Sequence, residues 1–238
     1  AHDAGDNLVS STDPLGNDTD YAYDGNGLLT RMTDVLGRLT EYGYDGHFNL
    51  TSVTDALGYV TTYAYDANHR LVRITDANAH TTDYERDAAG QLTRVVDPLG
   101  RATRFTYDPN GNLVTRIKAD GSPIYYEYDP TNRLTRVSYP DGSAVSTAYD
   151  AVDNVTSSSY GAWQAEFSYD ELNRLVHQDL PGADLSIAYV YDAVGKQLGI
   201  EAGRDSTLLY QVQSEYDAAD RLARIVDRHR DFPDVDFP

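Results

Sequence analysis

Carboxylates are the side chains with which this sequence is best equipped to do chemistry. The chain has 38 Asp and Glu, 19 Lys and Arg, six His and no Cys. Carboxylates act as general acids and bases, and they bind calcium when several oxygens converge. Three Asp-x-Asn runs place such oxygens at alternate positions, beginning at Asp66, Asp76 and Asp108. None reaches the terminal glutamate of an EF-hand loop, so capping of turns by aspartate is the simpler interpretation.

The remaining residue types form no recognisable catalytic or metal-binding pattern. The histidines have neither an HExxH motif nor ligand-like spacing, and the serine run 157–159 has no nucleophile elbow. We expect the histidines at turns or on the surface: His2, His47, His69, His80, His177 and His229. We therefore predict no catalytic, cofactor-binding or metal-binding residues, and we predict that the chain is not an enzyme.

The charge and hydropathy of the chain exclude several partners. A formal net charge of -19 repels phosphate backbones and anionic lipid, which predicts no nucleic-acid binding. No apolar run approaches the roughly 20 residues that span a bilayer, so we predict no membrane insertion. The N-terminal residues show no signal peptide and begin within a repeat, as expected for a piece of a longer chain.

The dominant pattern is a Tyr-Asp pair that recurs every 21 residues. This step occurs seven times in succession between Asp3 and Asp150, and steps of 20, 22 and 25 residues follow. The clearest pairs are Tyr23 and Asp24, Tyr44 and Asp45, Tyr65 and Asp66, Tyr107 and Asp108, Tyr128 and Asp129, and Tyr149 and Asp150. One pair lacks its tyrosine and reads Arg86-Asp87. The looser spacing after Asp150 predicts longer loops in the last third of the chain.

Each repeat contains two turn signals. The first follows the Tyr-Asp pair and places a residue that tolerates positive φ three positions after the Asp. Residues of this kind are Gly27, Gly90, Gly111, Asn132, Asn173 and Gly195, with His69, Asp6, Asp153 and Asp220 as weaker examples. Phe48 does not suit this position, so we expect neighbouring Gly46 to form that turn. The second signal is the run 13–16, Asp-Pro-Leu-Gly, and its relatives, which match a type I turn.

The segments between the turns are short and rich in Thr, Val, Tyr and Leu, as is typical of β-strands. Thr61, Tyr63 and Tyr65 alternate along such a segment, which puts the aromatic rings on one face. The sequence therefore predicts an all-β fold of antiparallel hairpins, about eleven units of 21 residues. A flat strip of this length leaves both faces wet, so we expect a curled, spiral sheet. We expect the array over 1–227 and an irregular tail, junction or distorted repeat over 228–238.

These units resemble Rhs or YD repeats. The resemblance is carried by segments such as 24–31, Asp-Gly-Asn-Gly-Leu-Leu-Thr-Arg, and 37–45, which ends in Tyr44-Asp45, and it extends to about Asp227. Proteins with such repeats include bacterial Rhs toxins, the C components of Tc toxins and animal teneurins. The resemblance implies that the sheet is one arc of a hollow β-cocoon that encloses a C-terminal toxin domain. Self-cleavage is not implied, because no Asp-Pro-x-Gly run here is followed by the family's Gly-x-Asn-x-Tyr pattern.

The resemblance leads to one main hypothesis and two alternatives. The main hypothesis is a structural segment of the shell of a bacterial Rhs or Tc-type toxin. Its partners are then the enclosed toxin domain and the remaining repeats of the same longer chain, with secretion-system and immunity proteins as further candidates. Such a protein is made in the cytoplasm and then secreted or delivered by a bacterial secretion system. The alternatives are an extracellular adhesion or glycan-binding module, and a shell section that takes part in autoproteolysis or metal-dependent chemistry.

Overall fold

The computed structural model describes residues 1–204, 207–217, 219, 221–229 and 232–237. The backbone forms two compact units, Ala1–Thr106 with Arg116–Ser122, and Tyr107–Thr115 with Pro123–Pro238. Within the described residues the one helical element is a single 3-10 turn, Pro181–Ala183, and no helix has the length and hydropathy needed to cross a membrane. Everything else of regular structure is β-strand, because the segments between turns are too short for helices and rich in β-formers.

Unit 1 is an antiparallel meander in which each strand pairs with the next. Its strands are β1 (Ser10–Thr12), β2 (Asp18–Tyr23), β3 (Leu29–Thr33), β4 (Leu39–Tyr44), β5 (Leu50–Thr54), β6 (Val60–Tyr65), β7 (Leu71–Thr75), β8 (Thr81–Arg86), β9 (Leu92–Val96) and β10 (Ala102–Tyr107). Strand β11 (Leu113–Ile117) contributes residues to both units, and Tyr107 at the end of β10 belongs to unit 2. Alternate turns of a meander lie on opposite edges of the sheet. We call the edge with the turns after the Tyr-Asp pairs the first-turn edge, and the other the second-turn edge.

Unit 2 is a meander of the same kind. Its strands are β12 (Pro123–Tyr128), β13 (Leu134–Ser138), β14 (Ala144–Tyr149), β15 (Val155–Tyr160), β16 (Trp163–Tyr169), β17 (Leu175–Leu180), β18 (Leu185–Tyr191), β19 (Gln197–Arg204), β20 (Thr207–Tyr216), β21 (Leu222–His229) and β22 (Phe232–Phe237). The predicted all-β fold of antiparallel hairpins is therefore confirmed.

The last third of the chain departs from the expectation of longer loops. Strands β15 and β16 are joined by a two-residue turn, Gly161 and Ala162, where earlier repeats use five residues. The extra residues of the later repeats extend the strands, since β20 has 10 residues whereas the strands of unit 1 have at most six. Longer strands satisfy the backbone N–H and C=O groups of added residues, which a longer loop leaves to water.

The tail expected over 228–238 is largely ordered into strands. Strand β21 continues to His229, and β22 pairs with it in antiparallel register over Phe232–Phe237. Residues 230, 231 and 238 of this tail lie outside the described residues. Pro233 did not prevent pairing because it lies in the register shift between the pairs Asp227–Val235 and His229–Phe232, and proline is tolerated at a β-bulge.

Most hairpins begin with a one-residue β-bulge. The bulge explains why the alternation of inward and outward side chains along the sequence shifts by one position. In the first complete repeat Ala22 pairs with Arg31 but Tyr23 pairs with Leu29, so Thr30 has no direct partner. The Thr30 hydroxyl donates to the Ala22 carbonyl at 3.2 Å, which satisfies an acceptor that the bulge exposes. The same shift recurs before Tyr44, Tyr65, Arg86, Tyr128, Tyr149, Tyr169, Tyr191 and Tyr216. The bulge lets Leu29 and Met32 share a face although they are three residues apart.

The two faces of unit 1 differ in chemistry. One face carries a tyrosine opposite an aliphatic residue in three hairpins: Tyr42 opposite Val53, Tyr63 opposite Ile74 and Tyr84 opposite Val95. The other face carries cross-strand ion pairs, such as Arg31 with Glu41 at 2.9 Å. Such cross-strand pairs are the unit of stabilisation in an antiparallel sheet, so each hairpin has its own small apolar contact.

The described residues form almost no buried core. Among the described residues only Ile124 and Val226 are large apolar side chains with exposed fractions below a tenth, 7% and 5%. The accessible surface is 15434 Å², whereas a compact chain of 26.4 kDa exposes about 10,600 Å². Burial therefore cannot be the only stabilising term, and the turns and the contacts between hairpins must contribute strongly.

Candidate functional site

Most of the turns that the structure describes are closed by the same five-residue arrangement around an aspartate. The turns that begin at Lys118 and Tyr139 keep the backbone bonds without an aspartate at the first position. In the turn that begins at Asp24, the Asp24 N–H donates to the carbonyl of Leu28 and the Gly27 N–H donates to the carbonyl of Asp24. Carboxylate oxygen Oδ1 of Asp24 accepts the N–H groups of Asn26 and Leu28 at 2.8 and 2.9 Å. A type I turn followed by a left-handed residue is a common hairpin loop, and the carboxylate satisfies the N–H groups left over.

The second-turn signal turns out to be the same motif. Asp34 accepts the N–H groups of Leu36 and Arg38 at 2.9 Å each, and the Gly37 N–H donates to its carbonyl at 2.8 Å. The aspartates that bond the N–H groups two and four residues later are Asp3, Asp13, Asp24, Asp34, Asp45, Asp55, Asp66, Asp76, Asp97, Asp108, Asp129, Asp150, Asp170, Asp192 and Asp217. Two signals that looked different in the sequence therefore encode one structure.

These hydrogen bonds hold the turn carboxylates in their charged form. The backbone N–H of the fifth turn residue is the main cause of the lowered pKa of Asp24 and of Asp66. The side-chain amides of Asn49 and Asn112 are the main cause of the lowered pKa of Asp45 and of Asp108, respectively. A carboxylate whose charged form is stabilised by several donors is a structural cap and a poor general base.

The fourth position of the five-residue turns has positive φ wherever the structure describes it. Gly27, Gly90 and Gly111 have φ of 79°, 89° and 90°, and Asn132 has 64°. His69, Asp6 and Asp153 also lie in the left-handed region, while Asp220 lies outside the described residues.

The expectation that Gly46 forms the turn at Asp45 is wrong. Phe48 has φ of 68°, and Gly46 has no positive φ. The Phe48 N–H donates to the Asp45 carbonyl at 3.1 Å. The distance from the aspartate therefore determines which residue adopts the left-handed conformation. The type of that residue does not determine it, although glycine suits the position best.

We expect Phe48→Gly to stabilise the protein by about 1 kcal/mol, because a left-handed backbone costs a residue with Cβ about that much. Little burial is lost, since the Phe48 side chain is 57% exposed. Urea denaturation measures the change. Gly46→Ala is the matched control and should leave the stability unchanged. A Cβ added at Gly46 meets no atom within 4 Å, and the φ of this residue is not positive. A Phe48→Gly variant less stable than wild type would contradict this account of the turn.

The fifth turn position supplies a second contact to the aspartate that the sequence analysis missed. The Arg70 Nε donates to Oδ2 of Asp66 at 2.8 Å, and the Asn49 amide donates to Oδ2 of Asp45 at 2.9 Å. The signal was visible, because Arg or Asn follows the left-handed residue in most repeats. The sequence analysis did not use this signal, because a spacing of four residues indicates no particular side-chain contact in a chain made of strands.

Fifth-position residues also connect neighbouring turns along the first-turn edge of unit 2. The Arg133 guanidinium lies 4.8 Å from the ring centroid of Tyr149, in the next repeat, and donates to the Asp150 carbonyl at 2.6 Å. Arg174 repeats this contact with the ring of Tyr191 at 4.8 Å and the Asp192 carbonyl at 3.0 Å. Each turn is thereby joined to the following one by a cation over an aromatic ring and a charged hydrogen bond.

Where the fifth residue is asparagine, amides make the connection. The Asn112 amide donates to Oδ1 of Asn132 at 2.8 Å, and the Asn154 amide donates to Oδ1 of Asn173 at 3.1 Å. These bonds link the fifth position of one turn to the left-handed position of the next. Arginine and asparagine at the fifth position therefore both join successive turns side by side.

The tyrosine of each Tyr-Asp pair joins its strand to the preceding hairpin through its hydroxyl. The Tyr44 hydroxyl donates to the Leu29 carbonyl at 3.0 Å, beyond the paired residues of β3 with β4, which run from Arg31 to Thr33. Equivalent bonds are made by Tyr23, Tyr65, Tyr128, Tyr149, Tyr169, Tyr191 and Tyr216. Burial, followed by the charge of neighbouring groups, raises the pKa of Tyr44. The protonated phenol is therefore held as a donor at a carbonyl that the backbone ladder does not reach.

Tyr107 is half-buried at the end of β10, where it precedes the turn of Asp108 and Gly111. The position before Asp87 differs from the tyrosine pattern. Arg86 replaces the tyrosine and donates through its guanidinium to the Gly90 carbonyl at 3.3 Å, within its own turn.

We expect Tyr65→Phe to cost about 1 kcal/mol, the usual net value of a part-buried hydrogen bond. The hydroxyl removed donates to the Leu50 carbonyl at 2.9 Å. Tyr63→Phe on the same strand is the control and should change stability by less than about 0.5 kcal/mol. Equal losses in the two variants, measured by urea denaturation, would show that the hydroxyl bond does not matter.

The Asp-x-Asn runs that suggested calcium are occupied by turn hydrogen bonds. Oδ1 of Asp66 accepts the N–H groups of Asn68 and Arg70, and Asp108 accepts those of Asn110 and Asn112. Across the part of the chain that the structure describes, no group of three or more His, Asp or Glu side chains is arranged to hold a metal ion. These carboxylate oxygens accept hydrogen bonds from backbone N–H groups, and the aspartates thereby close the turns.

Two crystal structures share the fold of this chain. The structure of TcdB2-TccC3-Cdc42 aligns with 96% of the chain at a TM-score of 0.60 and 12% sequence identity. The structure of TcdB2-TccC3 without hypervariable C-terminal region aligns with 90% at a TM-score of 0.55 and 15% identity. The present chain spans 16% of the length of each matched chain. No curated protein sequence matches it at a significant level.

The sequence itself matches one family model. The RHS repeat model matches residues 2–39, 23–56, 49–81, 86–123 and 128–162, which together make up more than half of the chain. The matched segments contain the turns and the tyrosine contacts described above. The chain belongs to the RHS repeat family.

Proposed function

We propose that this chain is a stretch of the encapsulating wall of a bacterial toxin of the Rhs or Tc type. The wall encloses a toxic effector at the C-terminus of the same longer chain. The chain itself catalyses no bond making or breaking. It keeps the effector apart from the cell that makes it until delivery, and it does so by forming a continuous sheet.

The observation that carries this proposal is the repeated joining of successive hairpins. Each tyrosine hydroxyl closes the end of a strand pair, and cations or amides join neighbouring turns, as Arg133 does with Tyr149. A scaffold built for chemistry places a few side chains around a cleft, whereas these contacts recur in most of the described repeats. A sheet that is joined in this way from repeat to repeat suits a barrier to diffusion and proteases.

The fold similarity supports the same proposal. The similar structures are complexes of TcdB2 with TccC3, and one of them is described as lacking a hypervariable C-terminal region. A chain that spans 16% of such a protein corresponds to one arc of the wall. We infer that the remaining repeats and an effector segment belong to the same longer chain. Synthesis in the cytoplasm followed by release through a secretion system is part of this proposal.

Protease protection in the full-length protein tests the proposal. The intact protein is treated with a nonspecific protease, and fragments from the repeats and from the C-terminal segment are followed by mass spectrometry. We expect the C-terminal segment to survive while the repeats are folded, and to be degraded once acid unfolds the repeats. Degradation of the segment at the rate of its isolated form, with the repeats intact, would overturn the proposal. One unique internal cut before protease is added would instead indicate autoproteolysis.

A second function, glycan binding at a surface, is favoured by one exposed aromatic pair. Tyr160 and Trp163 face each other across the two-residue turn between β15 and β16, and they are 50% and 67% exposed. Aromatic faces of this kind can bind sugar rings. Glycan-array binding that disappears in Tyr160→Ala and Trp163→Ala, and persists in Tyr63→Phe, would support adhesion over encapsulation.

A further inference from the structure

The hairpin formed by β8 and β9 departs from its neighbours at the end that carries the Tyr-Asp pair. Arg86 stands where the neighbouring hairpins have tyrosine. In the preceding hairpin, formed by β6 and β7, the Tyr65 hydroxyl donates to the Leu50 carbonyl and joins that hairpin to the one before it. The Arg86 guanidinium instead donates to the Gly90 carbonyl, inside its own turn, at 3.3 Å. Hairpin β8–β9 therefore lacks the side-chain bond that joins successive hairpins.

The turn of this hairpin is also less completely closed. Among the described residues, the Asp87 carboxylate accepts the N–H of Gln91 at 2.9 Å but not the N–H of Ala89. The Asp66 carboxylate of the preceding hairpin accepts both equivalent N–H groups, at 2.8 and 3.0 Å, and a third bond from the guanidinium of Arg70. The turn of β8–β9 thus depends more on its backbone bonds than the turn before it does.

Two arginine nitrogens of this hairpin are shielded from water without a hydrogen-bond partner. They are the Nε atoms of Arg86 and Arg94. A donor buried in this way loses its bonds to water and gains none from the protein, which destabilises the folded state. Local opening returns both donors to water, so these two groups favour an open hairpin.

Strand β9 also meets a like charge on its other side. Arg94 lies directly opposite Arg104 of β10, whereas Arg73 in the preceding repeat lies opposite Asp83 and forms an ion pair with it. Arg94 is paired with Glu85 on β8, but Arg104 has no ion pair within the part of the chain that the structure describes. Like charges directly opposite each other destabilise a pair of strands. The contact between β9 and β10 is therefore weaker than its counterpart in the preceding repeat.

The ladder between β8 and β9 is itself well formed. It runs from Asp83 opposite Val96 to Arg86 opposite Leu92, and its bulge is closed in the usual way by a threonine hydroxyl. The defects therefore lie where this hairpin meets its neighbours and at its turn. We propose that hairpin β8–β9 is an opening joint built into the array, which separates from its neighbours before hairpins β4–β5 and β6–β7 do.

A single altered repeat gives the array a preferred place to open. Identical repeats have no such place, because each has the same intrinsic stability and the same contacts with its neighbours. Local opening begins where the stabilising contacts are fewest. As an exit for an effector, the joint rests on the proposed function. The opening itself does not, and it is measured without reference to an effector.

Hydrogen exchange of the intact protein, followed by mass spectrometry, tests the proposal. Segment 84–92 of the joint is compared with segment 63–71 of hairpin β6–β7, after correction for the intrinsic exchange rate of each sequence. The two segments occupy the same positions of consecutive repeats, so the second is an internal control in every sample. We expect segment 84–92 to exchange about tenfold faster, the factor that corresponds to the loss of one or two hydrogen bonds.

A repaired variant and its reverse assign this difference to the residues that cause it. Arg86→Tyr combined with Gln91→Arg restores the residues of the preceding hairpin and should slow exchange of segment 84–92 to the rate of segment 63–71. Tyr65→Arg combined with Arg70→Gln introduces the residues of the joint into hairpin β6–β7 and should raise exchange there by a similar factor. Circular dichroism confirms that each variant retains its sheet. If the reverse variant does not fold, the repaired variant alone decides.

Equal exchange of the two segments in the wild type would rule the joint out, and so would fast exchange of segment 84–92 that persists in the repaired variant. The protease test of an enclosed effector is separate. Its failure leaves the exchange difference in place, and equal exchange leaves a wall without a preferred opening point.

Discussion

Acid is expected to unfold this protein steeply below about pH 4, where aspartates begin to take up protons. The turn aspartates with a lowered pKa are Asp3, Asp13, Asp24, Asp34, Asp45, Asp66, Asp76, Asp97, Asp108, Asp120, Asp129, Asp150, Asp170, Asp192 and Asp217. A group whose folded pKa is depressed stabilises the folded state fully above its unfolded pKa. That contribution disappears as the pH falls through the folded pKa.

The measurement is the urea midpoint between about pH 6 and pH 2. It should be flat above about pH 5 and then fall, since the unfolded carboxylates protonate near their ordinary pKa. Each carboxylate contributes little to the stability because it is exposed. The loss of stability in acid is large because many carboxylates contribute. A midpoint that stays constant down to pH 3 would contradict the role of the turn carboxylates.

A triple variant, Asp24→Asn, Asp45→Asn and Asp66→Asn, provides a matched control. Asparagine still offers one oxygen to the N–H groups that Asp24 bonds at 2.8 and 2.9 Å, but it does not titrate. The variant should be less stable than wild type at neutral pH and should lose less stability in acid. Carboxyl titration by NMR assigns the difference to individual residues.

Gly199→Ala is expected to destabilise unit 2 by about 2 kcal/mol, the cost of forcing an extra carbon into a filled space. A Cβ at Gly199 meets the Val212 carbonyl oxygen at 2.9 Å, on the neighbouring strand β20. This neighbour is backbone, so relief requires β19 and β20 to separate locally. The close approach of two backbones is the reason for glycine at this position.

Gly25→Ala is the control for this substitution. A Cβ there meets nothing within 4 Å, and the residue has no positive φ. It should leave the urea midpoint unchanged, while Gly199→Ala lowers it. Similar midpoints for the two variants would show that β19 and β20 accommodate the added carbon.

The sequence was informative about the fold because local turn chemistry repeats at a fixed step. The Asp-to-Asp spacing located the hairpins, and the residues after each aspartate located positive φ at Gly27, Gly90 and Gly111. Phe48 was misjudged because propensity was given more weight than spacing. The bulge that leaves Thr30 unpaired was not foreseen, since the sequence shows only a slip of phase and the strand register decides where the extra residue goes.

The contacts between repeats were harder to predict than the repeats themselves. The partner of a tyrosine hydroxyl is a backbone carbonyl such as that of Leu29, and a backbone carbonyl carries no sequence signal. The position of Arg133 over Tyr149 depends on how neighbouring turns are spaced, which follows from the sheet and not from the residues alone. Long-range geometry of this kind appears only when the strands are paired.

The direction of the tyrosine contacts bears on how the protein is made. The acceptor of the Tyr44 hydroxyl lies 15 residues earlier in the chain, and the acceptor of Tyr216 lies 19 residues earlier. A tyrosine emerging from the ribosome therefore finds its partner already synthesised. At about 5 to 20 residues per second, a 21-residue repeat is complete every few seconds and can fold onto its predecessor before the next exists. The array is thus suited to vectorial, co-translational folding from its N-terminus.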